Sequence, residues 1–273
     1  MTVRLALAQI DGVAGNVAEN VDRAVAAVAD AAADGADLVV LPELFAVGYF
    51  AFESYAHSAE PLDGPTLSRL GTVAADEGVH LLAGSVVEDL AESAAAGVAT
   101  PDDAGLANTA VLFDDDGERR LVYRKHHLFG YDSAESRLLT PGERVPTVAL
   151  DALGFTVGVT TCYDLRFPEL YRDLAEAGAT LVLVPSAWPY PRVEHWRLLP
   201  RARAVENLCY VAAANGAATF EDATLLGRST VYDPWGVAVA SAGDDPALVT
   251  TDIDPDRVAA VREEFPAWRD RRR

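Results

Sequence analysis

Three residues of different chemistry stand apart in this chain: a carboxylate at Glu43, an ammonium at Lys125 and a thiol at Cys162. Lys125 is the only lysine, against 21 arginines. A sequence that uses arginine almost everywhere and keeps one lysine points to a need for an ammonium there. A guanidinium is a planar fork that stays charged, whereas an ammonium is a compact point charge whose pKa moves readily. Cys162 lies in Thr161-Cys162-Tyr163-Asp164-Leu165-Arg166-Phe167-Pro168, after an apolar stretch and before a helix expected from about Arg166. A thiol facing a helix N-terminus is placed for a lowered pKa and for nucleophilic attack. Burial as a small hydrophobe is the other reading. Glu43, in Leu41-Pro42-Glu43-Leu44-Phe45, follows a second apolar stretch. A carboxylate there can take a thiol proton and return it to a leaving amine, or it can serve as a turn or cap carboxylate. Lys125 ends a strand-like segment and enters Lys125-His126-His127-Leu128-Phe129-Gly130. Its ammonium suits a developing oxyanion. A nucleophile, a proton carrier and an oxyanion partner are the parts of acyl transfer through sulfur.

The elements that must position these groups read as two similar halves. Residues 2–10 alternate as a strand, and 16–34 are alanine-rich with helical spacing behind the N-cap Asn16. A short apolar strand over 37–41, a helix over 65–77 and a strand over 79–87 follow. A hairpin joins 107–113 to 118–124 across Asp114-Asp115-Asp116-Gly117. The second half repeats the order: strand 155–160, helix 166–177, strand 180–184, helix 192–208 and strand 209–214. Strands over 229–232, 237–240 and 248–253 complete it, with a turn at Asp233-Pro234-Trp235-Gly236. This pattern predicts an α/β fold of two packed sheets with helices outside and pseudo-two-fold halves. Groups at the carboxyl ends of parallel strands can then share one crevice. Residues 88–105, small and polar, read as a surface loop. A single domain over 1–273 is expected.

Composition narrows the function. The net charge of −20 excludes nucleic acid and disfavours membrane surfaces, because both need clustered cations. No apolar run is long enough to span a bilayer. Met1-Thr2-Val3-Arg4 leads directly into a strand, without a signal-peptide layout, so a cytoplasmic location is expected. Two cysteines are too few for a disulfide framework, and reduced thiols are expected. Cys209, in an apolar strand, reads as core. His57, His80, His126, His127 and His195 lack metal-ligand spacing, and no Gly-rich phosphate loop is present. His127 reads as a hydrogen-bonded structural residue and His126 as solvated.

The three motifs, taken in this order, resemble the Glu-Lys-Cys centre of the nitrilase (carbon–nitrogen hydrolase) superfamily. Pro185-Ser186-Ala187-Trp188-Pro189, His195-Trp196, the segment 201–207, the segment 227–236 and the closing 262–272 are also similar to its amidase branches. The resemblance covers nearly the whole chain. It implies a four-layer αββα sandwich, hydrolysis of a non-peptide C–N bond, no cofactor or metal, and a homodimer or higher homo-oligomer. It also implies a second glutamate after the lysine. Glu135 is the best match, with a surface carboxylate as the alternative. The Tyr163 N–H is a candidate oxyanion donor. Tyr49, Phe129, Tyr131 and Trp188 are candidate pocket walls, or core aromatics. Arg166 is a candidate for a substrate carboxylate, or for a structural ion pair with Glu169 or Glu206.

The reading ranked first is an omega-amidase-like hydrolase that releases ammonia from a small carboxamide through a cysteine thioester. N-carbamoyl hydrolysis ranks second. Nitrile hydrolysis is lower, because the long C-terminal extension of that branch is missing. A non-catalytic binding protein on the same fold ranks last. Dispersed acid with depleted lysine further predicts a salt-adapted protein, since strong screening relieves repulsion among surface carboxylates. Turnover and thermal stability are therefore expected to require molar salt. Full activity with an unchanged Tm in dilute buffer would remove this claim.

Overall fold

A computed structural model of the chain describes residues 2–130, 133–221 and 223–272. The first half runs β1 (Val3–Gln9), α1 (Val17–Ala33), β2 (Leu38–Val40), the short α2 (Tyr55–Ser58), α3 (Pro65–Glu77), β3 (His80–Asp89), α4 (Leu90–Ala95), β4 (Leu106–Phe113) and β5 (Arg119–Arg124). The second runs α5 (Ala134–Leu138), β6 (Thr147–Leu150), β7 (Phe155–Val159), α6 (Pro168–Glu176), β8 (Leu181–Ser186), α7 (Val193–Asn207), β9 (Tyr210–Asn215), β10 (Thr230–Tyr232) and β11 (Ala238–Ser241). β12 (Ala247–Ile253) and α8 (Pro255–Glu264) close the chain.

Two six-stranded sheets result, ordered β12-β1-β2-β3-β4-β5 and β6-β7-β8-β9-β10-β11. In both, the first strand is antiparallel to the second, the next pairs are parallel, and the last two pairs are antiparallel. The halves are therefore related by a pseudo-two-fold, with β12 crossing over to complete the first sheet.

Side-chain alternation explains the layers. Leu5 and Leu7 of β1, Val40 of β2, Val157 and Val159 of β7, and Leu181 and Leu183 of β8 meet in one core between the sheets. The intervening Ala6, Ala8 and Val39 face outward onto Val21, Ala24 and Val28 of α1 and Leu67, Leu70 and Ala74 of α3. On the other side, Val182 and Val211 face Leu170 and Leu174 of α6 and Ala204 of α7. This is an αββα sandwich. The small alanines of β1 let α1 sit close. Asn16 caps α1 by accepting from the Glu19 N–H.

Several sequence expectations shift. The helix expected from Arg166 starts at Pro168, because proline favours the first helical position, and a 3-10 turn over Cys162–Arg166 precedes it. Residues 88–105 are not all surface loop. Glu88 is fully buried at the end of β3, held by Arg124 at 2.7 Å through both oxygens and by the Thr109 hydroxyl at 2.7 Å, and α4 follows. β6 and α8 are additions to the sequence reading.

Two glycines fix the chain around the reactive residues. A Cβ on Gly84 would lie 1.8 Å from the Leu41 carbonyl oxygen, and one on Gly142 would lie 2.1 Å from that of Arg124. Glycine at these positions lets neighbouring backbone close on the segments that carry Glu43 and Lys125.

Candidate active site

Glu43, Cys162 and Ala187 follow the carboxyl ends of β2, β7 and β8, where α/β sheets hold their ligand crevices. β2 and β8 are pseudo-equivalent, and their ends meet across the sheet interface. The Glu43 N–H donates to the Ser186 carbonyl at 3.4 Å, and the Ala187 N–H donates to Glu43 Oε2 at 2.9 Å. Leu44 adopts a positive φ of 46°, and its N–H donates to Ser85 Oγ. Backbone and side-chain contacts thus hold the Glu43 turn on both sides.

Lys125 leaves β5 with its N–H on the Asn108 carbonyl and its own carbonyl accepting from Gly142. Its ammonium is fully enclosed. It lies 2.7 Å from Glu43 Oε1, and 2.9 and 3.1 Å from the two oxygens of Glu135. Glu135, on the single turn of α5, is fully buried, so the surface-carboxylate alternative fails. Its Oε2 also accepts from the Tyr49 hydroxyl at 2.9 Å and the Phe129 N–H at 2.6 Å. Burial would lower the Lys125 pKa, but Glu135 and Glu43 outweigh it and raise the pKa, so the ammonium is permanent. Burial raises the Tyr49 phenol well above its usual range, and Glu135 adds to this, so Tyr49 remains a donor.

Cys162 sits at the start of the 3-10 turn with φ of 46°, in the sparsely populated left-handed region for a residue with a side chain. Its thiol is near enough to the Glu43 carboxylate, the Lys125 ammonium and the Ala187 N–H for each to shift its pKa. The expectation of a thiol pKa lowered by a helix terminus is overturned. Burial raises it first and the Glu43 charge next, and Lys125 only partly offsets them. The resting group is a thiol. Burial also raises the Glu43 pKa, against the Lys125 charge, so the adjacent carboxylate is tuned upward as a proton acceptor. Cys209 is core as expected, its pKa pushed up to about 12 by burial.

Asn108 is a site residue that sequence reasoning missed. Its amide nitrogen donates to Glu43 Oε1 at 2.9 Å and to Glu135 Oε1 at 3.3 Å, bridging the two carboxylates. The signal was a polar pair, Asn108-Thr109, inside an otherwise apolar strand. Asp164 is a second omission. It accepts from the Tyr123 hydroxyl at 2.6 Å, the Thr161 N–H at 2.9 Å and the His127 N–H at 2.9 Å, tying the Lys125 loop to the Cys162 turn. His127 is structural as expected, with Nδ1 on Asp164 and its ring stacked 3.6 Å from Phe167. His126 is not solvated: it is half-buried, and its Nδ1 is enclosed without a partner.

A cavity of about 190 Å³ opens onto Cys162 and Lys125. Tyr49, Phe129, Tyr163, Arg166 and Trp188 line it, with Phe50, Phe52 and Arg192 as walls not read from sequence. Tyr131 lies outside the described residues. Arg166 is not paired with Glu169 or Glu206. Its guanidinium lies over the Tyr163 and Trp188 rings and contacts His195 Nδ1 at 3.2 Å, while Glu206 pairs with Arg203. No group of three or more His, Cys, Asp or Glu side chains among the described residues could hold a metal. No helix among them is long and apolar enough to cross a membrane.

Comparison with known proteins shows the family. The carbon–nitrogen hydrolase family model matches residues 4–263. The chain is 36% identical over 239 residues to 2-oxoglutaramate amidase of Paenarthrobacter nicotinovorans, covering 87% of this chain and 79% of that protein. It is 36% identical over 278 residues to omega-amidase NIT2 of Homo sapiens, covering 98% and 95%. Among solved structures, Saccharomyces cerevisiae Nit3, a member of branch 10 of the nitrilase superfamily, superposes with a TM-score of 0.85 at 30% identity, covering 97% of this chain and 94% of that one.

Replacing Lys125 by Met leaves two buried carboxylates without a counter-ion, and the expected loss at pH 7 is about 3–5 kcal/mol. Without Lys125 the Glu43 pKa, already raised by burial, loses its main opposing charge and rises further. Its contribution to stability is then full below the unfolded carboxyl pKa and lost as pH rises through the folded one. Denaturant titrations should therefore show the variant approaching the parent at acid pH and falling behind it near neutrality. Equal stability of the two proteins at pH 7 would contradict the buried-cluster reading.

Proposed function

The chain belongs to the carbon–nitrogen hydrolase family, and from that premise we propose that it is an omega-amidase, hydrolysing the terminal amide of a small dicarboxylic acid monoamide. One observation carries this reading: a protonated thiol, a carboxylate with a raised pKa and a permanently charged ammonium converge at the base of one small cavity. The names of the two relatives supply the amide class, and the cavity wall is cationic.

In the proposed mechanism, Glu43 takes the Cys162 proton as sulfur attacks the carbonyl carbon. The tetrahedral oxyanion is held by Lys125 and by the Tyr163 N–H, which lies in the first turn of its 3-10 segment and has no intrahelical carbonyl to serve. Protonated Glu43 gives its proton to the departing ammonia. Water then cleaves the acyl-thioester. Both oxygens of Glu135 are occupied by Lys125, Asn108, Tyr49 and Phe129 donors. Glu43 is therefore the better base for the water step, and Glu135 positions Lys125.

We further assign the protein a cytoplasmic, salt-adapted setting and a homodimeric state. Leu198 and Val205 on α7, and Val237 and Val239 by β11, are exposed apolar side chains in an otherwise acidic molecule. Light scattering should give twice the chain mass. A monomer at micromolar concentration would exclude the dimer.

Coupled ammonia and carbon dioxide assays on an omega-amide, an N-carbamoyl compound and a nitrile test the activity. Ammonia from the amide, without carbon dioxide, is expected. The Cys162→Ala variant should lose on the order of 10⁴-fold or more in kcat. The acidic limb of kcat/KM should lie above the ordinary glutamate value of about 4.3 and disappear in Glu43→Gln. Ammonia only from the nitrile would reject the assignment.

A further inference from the structure

The cavity wall carries a charge pattern opposite to that of the molecule. Acidic residues outnumber basic ones 42 to 22 over the whole chain. Yet the cavity lining holds three cations, Lys125, Arg166 and Arg192, and no acidic residue among the described ones. Lys125 is neutralised by Glu43 and Glu135. Arg166 is steadied by two aromatic rings and by His195 Nδ1 at 3.2 Å. Arg192 has the fewest ties. Its guanidinium lies 5.5 Å from the centre of the Phe129 ring, and it meets no carboxylate among the described residues. Its backbone, by contrast, is fixed. The Arg192 carbonyl accepts from the Trp188 indole N–H at 3.2 Å and from the Trp196 N–H at 3.2 Å.

Elsewhere in this protein arginines find acids readily. Arg23, Arg120, Arg124, Arg203 and Arg228 each hold a carboxylate within 3.3 Å. Surrounded by so many carboxylates, a half-buried arginine aimed into a cavity without one has its donors available for something brought from outside. A guanidinium matches a carboxylate with two parallel N–H donors, and an apolar rim around it strengthens the pairing by excluding water. Where salt screens long-range fields, recognition of an anionic substrate must come from such local groups.

We propose that Arg192 is a specificity-determining residue that binds the carboxylate of the substrate at the end remote from the amide, with Phe129 holding its guanidinium plane. The substrate class is a short aliphatic amide bearing a terminal carboxylate, and a neutral amide of equal length is a poor ligand. This rests on the omega-amidase reading for the position of the amide carbon at Cys162, and adds a residue that selects charge at the far end.

The test separates binding from turnover. Calorimetry on the Cys162→Ala protein, at fixed salt, compares a five-carbon dicarboxylic acid monoamide with butyramide. Adding Arg192→Met should weaken the anionic amide at least tenfold and change butyramide less than twofold. Arg192→Lys, which keeps the charge but not the fork, should fall between. In the active enzyme, Arg192→Met should raise KM for the anionic amide at least tenfold with kcat changed less than threefold. Unchanged affinity for the anionic amide, or equal loss for both ligands with an unaltered Tm, would overturn the assignment. A wild-type protein that binds the anionic amide through Arg192 but releases no ammonia would instead reject the amidase activity and leave the carboxylate site standing.

Discussion

An ammonium enclosed between two carboxylates is the constraint on which this structure turns. Taking three ionised groups out of water costs several kcal/mol each, and mutual attraction offsets that only with short contacts and further donors. Lys125, Glu43 and Glu135 meet both conditions, with contacts of 2.7–3.1 Å and with Asn108, Tyr49 and the Phe129 and Ala187 amides filling the remaining acceptor positions. The partners come from a turn after β2, the end of β5, the short α5 and the end of β8. No single segment could assemble the cluster. It forms where the two sheets dock, so sheet packing and active-site geometry are one structural event.

The same cluster divides the chemical labour. Glu135 is saturated by donors and stays fixed. Glu43 shares its oxygens with fewer groups, has a raised pKa and faces the thiol. Because the Cys162 pKa is raised too, the site does not store a thiolate. In the proposed mechanism ionisation is coupled to attack, when the negative charge moves from sulfur toward the substrate oxygen near Lys125. Asp164 secures this arrangement from behind, joining the Lys125 loop to the strained Cys162 turn through Tyr123, Thr161 and His127. Outside the cluster, Arg166 and Arg192 give the cavity a cationic wall within an acidic protein.

Much of this was legible in the sequence. A solitary lysine identified the ammonium, and strand alternation identified the two sheets and their helical coats. The motif segments placed Glu43, Lys125 and Cys162 at strand ends. Other features depended on contacts that no local pattern announces. Asn108 sits in an apolar strand and acquires its role only when Glu43 and Glu135 arrive from elsewhere. Glu88 reads as the start of a polar loop until Arg124, distant in sequence, pairs with it. Among 42 acids, Glu135 is singled out only by the family resemblance, because its burial has no local signature. The motif alone suggests a helix terminus beside the thiol and a lowered pKa. A short 3-10 turn, deep burial and an adjacent carboxylate reverse the sign. β6 is a four-residue edge strand with little pattern. α8, however, was signalled by Asp254-Pro255, an N-cap followed by proline at the first helical position, and could have been read.

The account rests on covalent bonding of the substrate's acyl group to the buried sulfur. Rapid mixing of enzyme with an omega-amide, acid quenching and intact mass measurement with peptide mapping addresses this directly. The expected result is a transient adduct equal to the substrate mass less ammonia, confined to Cys162 and absent from Cys209. Ammonia released without any adduct on Cys162 throughout the first turnover would contradict it.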